Sequence, residues 1–287
     1  MKVLVTGHKG FIGAHIYASL LATSHKVRGV DRKDGYDIRF LSAADYESVD
    51  AVVHCAAVAD IADNWTGDGT NRDAVWSHNV DGTRNLLESL PNIPHVFMST
   101  AAVYGSTGRL MLEDNACRPN SPYGASKVSA EALYHAWGAR YGVQHSILRL
   151  GCVVGAGYTH GHIADFVKQA KIGVVKPKTV GFAKRSHVHV DDVCQAVNGI
   201  LLGKISPGTY NLSAGSWACR DTAREMRLEG HNIEWPTWRE GWDGETGWTG
   251  DNHTLLSSTA IISQGWRPTK SVSAGVNEAL YSLGWRK

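Results

Sequence analysis

Lys2-Val-Leu-Val-Thr6-Gly7-His8-Lys9-Gly10-Phe11-Ile12-Gly13 opens the chain, and its reading decides the fold. Lys2–Thr6 is a short apolar run rich in β-branched residues, the pattern of a buried parallel strand. G-x-x-G-x-x-G follows at once, and Ile16, Leu20 and Leu21 continue an apolar stripe at helical spacing. Strand, glycine turn and helix in that order form the setting of a dinucleotide site. Gly7 permits the tight turn, Gly10 lets backbone approach a pyrophosphate, and Gly13 allows close helix–strand packing. The start of the helix adds unpaired N–H groups and the positive end of the helix dipole for phosphates.

Moving outward, the next strand, Lys26–Val30, ends in Asp31. A carboxylate there accepts hydrogen bonds from adenosine ribose hydroxyls and repels a 2′-phosphate, which favours NAD over NADP. Arg32 and Lys33 stand beside it and keep a 2′-phosphate open as the alternative. Further apolar strand runs fall at residues 51–55, 95–98 and 145–150, with helical patterns at 73–90 and 122–141 between them. Regular alternation of strand and helix predicts an α/β fold with a doubly wound parallel sheet of Rossmann type. Ligands of such sheets sit at the carboxyl ends of the strands, where Gly7, Asp31, Ala56 and Thr100 fall.

After Leu150 the pattern loosens. Residues 151–171 read as a Gly/His-rich loop leading into a helix, 173–185 as short strands, and 191–202 as a helix returning to the first lobe. The expected division is a dinucleotide-binding domain of residues 1–153 plus 184–205. A smaller mixed C-terminal substrate-binding lobe takes 154–183 plus 206–287.

Tyr123-Gly-Ala-Ser-Lys127 carries the chemistry. On a helix, positions i and i+4 share a face, so the phenol and the amine point the same way. An ammonium beside a phenol favours the phenolate and lowers the tyrosine pKa from about 10. A phenolate poised nearer neutrality is a general base for an alcohol hydroxyl. Tyrosine and lysine fall at this spacing in many solvated helices, so Y-x-x-x-K gains its meaning only beside the glycine turn.

Together these blocks resemble the extended short-chain dehydrogenase/reductase superfamily, and within it the NAD-dependent nucleotide-sugar epimerase/dehydratase family. Thr6 to Gly13, including Lys9, Phe11 and Ile12, looks like the family's T-G-x-x-G-x-I-G loop. Asp37-Ile38 is similar to the D-I/L pair that contacts adenine after the third strand. Val52-Val-His-Cys55-Ala56-Ala57 resembles the V-I-H-x-A-A strand beside the nicotinamide ribose. Asn79-Val-Asp-Gly-Thr-Arg-Asn-Leu-Leu resembles N-V-x-G-T-x-N-L-L, whose Asn holds a helix kink near the site. Phe97-Met-Ser99-Thr100-Ala101-Ala102-Val-Tyr-Gly105 resembles F-x-S-S-A-x-V-Y-G of UDP-galactose 4-epimerases, with Thr100 in the catalytic serine's place. Ser121-Pro-Tyr-Gly-Ala-Ser-Lys127 is close to S-P-Y-x-x-S-K. Arg185-Ser-His-Val-His-Val-Asp-Asp192 resembles R-D-x-x-H-V-x-D, whose Arg meets the nucleotide diphosphate. Gly208-Thr-Tyr-Asn-Leu212 and Gly265-Trp-Arg-Pro268 resemble the closing G-x-x-Y-N-L/I and G-W-x-P blocks.

The resemblance implies NAD as cofactor, Tyr123, Lys127 and Thr100 as catalytic residues, and Ser99 and Asn79 among the cofactor contacts. It implies Thr100, Ala101, Cys152 and Arg185 on the substrate. Dehydratases of the family carry Asp-Glu where this chain has Ala101-Ala102. Neither alanine moves a proton, so the pattern points to oxidation of an alcohol and return of the ketone, the chemistry of a 4-epimerase on a nucleotide sugar, most simply a UDP-sugar. A plain NAD(P)-dependent reductase of a small carbonyl or sugar is the alternative, and an NAD(H)-sensing binding protein the second. Departures concentrate on the substrate side. Cys152 stands near where L-R-x-x-N places an Asn, and Ser186 replaces the Asp after the diphosphate Arg. Residues 73–90 and 122–141 are the family's usual dimer helices, so a homodimer is expected.

Composition bounds the rest. The chain has 287 residues and a formal net charge of +2, enough for a sizeable core and with no implied nucleic-acid surface. No run approaches the ~20 apolar residues of a membrane helix. The first strand starting at Lys2 leaves no room for a signal peptide, and Cys55, Cys117, Cys152, Cys194 and Cys219 are scattered without C-x-x-C spacing. A cytoplasmic enzyme with reduced thiols is expected. His160-x-His162 and His187-x-His189 lack a completing ligand in sequence, so no metal is expected. The stretch 229–252 holds Trp235, Trp238, Trp242 and Trp248. It reads either as a surface loop burying its tryptophans or as a lid that stacks on a ring.

Overall fold

A computed structural model describes residues 1–46, 48–59, 70–177, 180–228, 232–235 and 253–286. The N-terminal half runs β1 (Lys2–Thr6), α1 (Phe11–Leu21), β2 (Lys26–Val30), β3 (Ala51–His54), α2 (Thr70–Trp76), α3 (Gly82–Ser89), β4 (His95–Thr100), α4 (Pro122–Tyr141) and β5 (His145–Leu150). There follow β6 (Cys152–Val154), α5 (His162–Ala170), β7 (Lys184–His189), α6 (Val190–Leu201), β8 (Thr209–Leu212), β9 (Gly215–Ala218), α7 (Cys219–Glu225) and α8 (Val272–Ser282). Six strands form one sheet in the order β8-β5-β4-β3-β1-β2, every neighbouring pair parallel.

Alternation along each strand explains why both faces of this sheet are covered. Val3, Val5, Val53, Val96, Met98, Leu148 and Leu150 point to one face, against Ile16 and Leu20 of α1 and Val193 and Val197 of α6. Leu4 and Val52 point to the other, against Leu86 of α3. Phe97 and Ile147 meet Ala130 and Tyr134 of α4 on that same side. The doubly wound sheet read from the sequence is therefore present. A second, three-stranded mixed sheet pairs β9 antiparallel and β6 parallel with β7. Its neighbour is a separate core built from α5, α7 and α8 around Phe166, Met226 and Val276.

Three differences from the sequence reading matter. First, Asp37 and Ile38 do not follow a third strand: residues 35–42 are turn and coil after a short 3-10 helix, Arg32–Asp34. The main sheet ends at β2, because the polar stretch 31–37 lacks the apolar alternation a strand needs. Second, residues 73–90 are not one helix. A π-helical turn, Ser77–Asp81, separates α2 from α3. Third, β8 lies within 206–287, the range expected in the small lobe, yet it is the edge strand of the main sheet. Ile261 and Trp266 likewise pack into the core of that sheet.

Candidate active site

The sheet order reverses between β1 and β3, so their carboxyl ends open the crevice where ligands of this architecture sit. Gly7 closes β1 with φ +70°, and a Cβ there would stand 2.7 Å from the Ala56 backbone. A Cβ on Gly13 would lie 2.2 Å from the Gly7 carbonyl oxygen. Glycine is required by space at both positions. Gly10 is the N-cap of α1, with no side-chain cap, and no acidic residue occupies the first turn. The orphan N–H groups there fit a pyrophosphate. Ile12 packs on the core behind the turn, and the Phe11 ring meets Tyr158 edge-on with centroids 5.8 Å apart. These features fit NAD.

At the adenosine end, Asp31 caps the Arg32–Asp34 turn. Its carboxylate accepts from the N–H groups of Lys9 (3.0 Å) and Lys33 (2.9 Å), which fixes it at the end of β2 with lone pairs left for ribose hydroxyls. The Lys9 ammonium pairs with Asp34. Arg32 turns to His78 Nε2 at 2.5 Å. Asp37 is gripped by the Arg39 guanidinium (2.7–3.2 Å), which holds its carboxyl below the usual range. Ile38 is buried and meets Gly82, where a Cβ would stand 3.0 Å from its Cδ1.

At the catalytic end, α4 starts with Ser121 as N-cap, accepting from the Gly124 N–H at 3.1 Å, and with Pro122 in its first turn. A Cβ on Gly124 would lie 2.6 Å from the Ala102 carbonyl oxygen. This contact brings Tyr123 to the end of β4, where its hydroxyl hydrogen-bonds Thr100. Thr100 in turn accepts from the Ala102 N–H at 3.2 Å. Lys127, one turn along α4, is buried, with Nζ 4.0 Å above the Phe97 ring.

Burial governs the protons here. It pushes the Tyr123 phenol up to about 12, against the Thr100 hydrogen bond, and pushes Lys127 down to about 7. The lowered tyrosine pKa expected from Y-x-x-x-K is therefore corrected. Desolvation sets the phenol, and Lys127 contributes no opposing shift, its amine being itself only partly charged at neutrality. Cys55, half-buried next to Lys127, is likewise pushed up to about 12 by desolvation.

A polar chain runs behind these groups; the sequence reading named Asn79 in it but not His54, Thr83 or Ser126. His54 is buried and held neutral, its pKa pushed well down by burial. The Thr83 hydroxyl donates to the Asn79 carbonyl (2.7 Å), so His54 donates to Thr83 from Nε2 (3.1 Å) and accepts from Thr6 at Nδ1 (2.7 Å). The Asn79 side chain accepts from the Val58 N–H (2.8 Å) and donates to the Val58 carbonyl (3.0 Å) and to Ser126 Oγ (3.0 Å). Ser126 donates to the Tyr123 carbonyl at 2.8 Å. The π-helical turn swings Asn79 into this position, as such bulges often do at functional sites.

Ser99, expected at the cofactor, is buried and donates to Glu131 at 2.5 Å. Arg149 donates to both oxygens of the same carboxylate (2.7–3.2 Å) and to Tyr104 (2.7 Å), which donates to Asn211 (2.9 Å). The i+8 relation of Glu131 to Tyr123 was the available signal, since it places the acid on the same buried helix face. Cys152 and Arg185 form a separate group. Cys152 is in register with His187, whose pKa burial lowers against a hydrogen bond to the Arg185 backbone; burial also lowers that of His162, with the charges of His187 and Arg185 adding to it. His189 is bound elsewhere, to Glu278 at 3.0 Å. Of the tryptophan-rich stretch, Trp235 stacks with Arg220 at 4.3 Å. Trp238, Trp242 and Trp248 lie outside the described residues.

The profile of the NAD dependent epimerase/dehydratase family matches residues 3–213. The chain belongs to that family. It is 32% identical to a dTDP-glucose 4,6-dehydratase of Mycobacterium tuberculosis, with 75% of this chain and 72% of that protein covered. It is 26% identical to a UDP-glucose 4-epimerase of Streptomyces lividans, with 97% and 94% covered. Among solved structures, the Thermus thermophilus UDP-glucose 4-epimerase complex with NAD superposes with a TM-score of 0.80 at 26% identity, covering 99% of both chains. Membership makes this an NAD-dependent enzyme, in keeping with the glycine cradle and Asp31.

Proposed function

We propose that the chain is a 4-epimerase of a nucleotide-diphosphate sugar, with UDP-sugars as the first class to test. The observation that carries the reading is the cluster Thr100–Tyr123–Lys127 with Ala101 and Ala102 beside it. One acid/base group is present, and no second one stands where a water elimination needs it. The names of its relatives, 4-epimerases of UDP-glucose among them, support the same class, although a dTDP-glucose 4,6-dehydratase also stands among them.

Gly7, Gly10, Gly13 and the start of α1 hold the cofactor's pyrophosphate, Asp31 its adenosine ribose, and Lys127 the nicotinamide ribose. Held there, NAD would supply the hydride acceptor and donor for the substrate carbon and a positive charge in the site. Tyr123 takes the C4 hydroxyl proton as that carbon is oxidised and gives it back when the 4-keto sugar is reduced on its other face. Thr100 orients the substrate oxygen and favours the phenolate by its hydrogen bond. Asn79 and Ser126 hold the Tyr123 backbone. Arg185, with Cys152 beside it, receives the diphosphate side of the substrate. The small lobe of residues 154–183, with α7 and α8, closes over the sugar nucleotide.

The test is a thermal-shift screen of UDP-, dTDP-, GDP- and CDP-sugars with NAD present, followed by product analysis of any sugar that raises the melting point. Inversion at C4 with no net NADH formed is expected. Net NADH consumption with a carbonyl substrate and no sugar nucleotide converted would instead make the chain a reductase.

A further inference from the structure

We propose that Glu131 is a positioning residue for Lys127: a buried carboxylate, fastened by Ser99 and Arg149, that offsets burial and keeps the neighbouring amine partly charged. The inference rests on the reading of Lys127 as part of the redox site, but its test does not require turnover.

Lys127 and Glu131 lie at i and i+4 on α4, with lysine toward the N-terminus, so their side chains share one face. Both are nearly inaccessible, at 2% and 3%. Around the amine stand His54 and Cys55 at the end of β3, Phe97 on β4 and Glu131 on α4 itself; Tyr123 lies one turn back on α4, and Ser99 two residues beyond Phe97 on β4. His54 is neutral, Cys55 a thiol, Tyr123 a phenol, and Phe97 and Ser99 carry no charge. Among these groups Glu131 is the one carboxylate. Desolvation alone drives a buried lysine toward the neutral amine. Glu131 opposes it, and the amine stays balanced at about 7.

The carboxylate is itself held. Ser99 donates to one oxygen at 2.5 Å, and Arg149 donates to both, with its NH2 group 2.7 Å from Oε2. Arg149 also donates to Tyr104 and to the Glu113 carbonyl, so the guanidinium is anchored on three sides. Such an assembly resists rotation of the Glu131 side chain. Its charge therefore stays one helical turn from Nζ whatever occupies the crevice. Arg149 also offsets part of that charge, which leaves Lys127 near its balance point instead of permanently protonated.

The experiment is an NMR titration of lysine-labelled, cofactor-free protein, with the Lys127 signal assigned by its loss in Lys127→Met. Glu131→Gln keeps the shape and one acceptor oxygen and removes the charge. Its Lys127 midpoint is expected to fall by about one unit or more. Arg149→Met leaves the carboxylate less neutralised, and the midpoint is expected to rise. Glu131→Asp is expected to restore it to within a few tenths. A purely structural network predicts no opposite shifts in the first two variants. An unmoved midpoint in Glu131→Gln, or a fall in Arg149→Met, overturns the proposal. Should neither variant fold, the unsubstituted protein decides: an amine already neutral below about pH 6, with the carboxylate in place, would sink it. A substrate screen that fails while these shifts appear rejects the epimerase reading and leaves this one standing.

Discussion

The two ends of the crevice are built on opposite principles. At the adenosine end, Asp31, Asp34, Asp37, Arg32 and Arg39 are partly exposed charges tied to one another and to backbone N–H groups. At the catalytic end, Tyr123, Lys127 and His54 are buried and Cys55 is half-buried, and desolvation is the largest influence on the protons of all four. Exposed pairs are screened by water and salt and contribute little each. Buried groups have no such screen, so one substitution there changes protonation, packing and rate together. The crevice thus combines a tolerant grip on the nucleotide with an intolerant centre for proton transfer.

Tyr123→Phe probes the intolerant end most severely. The turnover rate should fall by about 10²–10⁴ while NAD affinity stays within a few-fold, since the ring and its packing remain. Full activity in that variant would remove the general-base role, and loss of NAD binding instead would erase the contrast between the ends.

Gly13→Ala comes next. Its Cβ would press on the Gly7 carbonyl at 2.2 Å, backbone that cannot swing aside. Destabilisation of about 1–3 kcal/mol is expected in urea unfolding, with NAD binding lost in calorimetry. Unchanged NAD affinity would mean that the turn does not hold the pyrophosphate.

Lys127→Met tests the role of desolvation. The lysine's folded pKa of about 7 lies below its ordinary 10.5, so the unfolded chain binds the proton more tightly. The cost of burying this group is therefore full below about pH 7, shrinks as pH rises, and vanishes above about 10.5. The variant should be inactive yet more stable than the parent by about 1–3 kcal/mol near pH 6, and the gap should close by pH 10.5. A gap that widens with pH would reverse the assignment.

At the tolerant end, Asp31→Asn should weaken NAD by about tenfold and narrow its preference over NADP, as Arg32 and Lys33 remain. Arg39→Ala, which breaks the partly exposed pair with Asp37 and a hydrogen bond to Ser77, should cost about 0–1 kcal/mol of stability, less at high salt. A larger loss than that of Gly13→Ala would overturn the contrast.

Much of this molecule was legible before any coordinates. Lys2–Thr6, Lys26–Val30, His145–Leu150 and the helix Pro122–Tyr141 stand at the residues read for them. Period-two apolar alternation, a capping serine, proline at the first helical position and a closing glycine are all local signals. The resemblance implied a kink at Asn79, but its form as a π-turn, Ser77–Asp81, was not legible, because it answers to Asn79 meeting Val58 and Ser126, distant in the chain. Nor was the place of Thr209–Leu212, since a strand's sheet partner is chosen by the whole packing.

The sequence by itself determined which atoms of this protein can do chemistry: glycines that leave room for a pyrophosphate, an acid for a ribose, and a phenol and an amine on one helix face. Their spacing is covalent, and the preferences behind it act over a few residues. Only the tertiary structure decided how those atoms behave. The proton affinities of Tyr123 and Lys127, the tautomer of His54 and the fastening of Glu131 all follow from which distant side chains exclude water around them, and burial is a property of the whole folded chain.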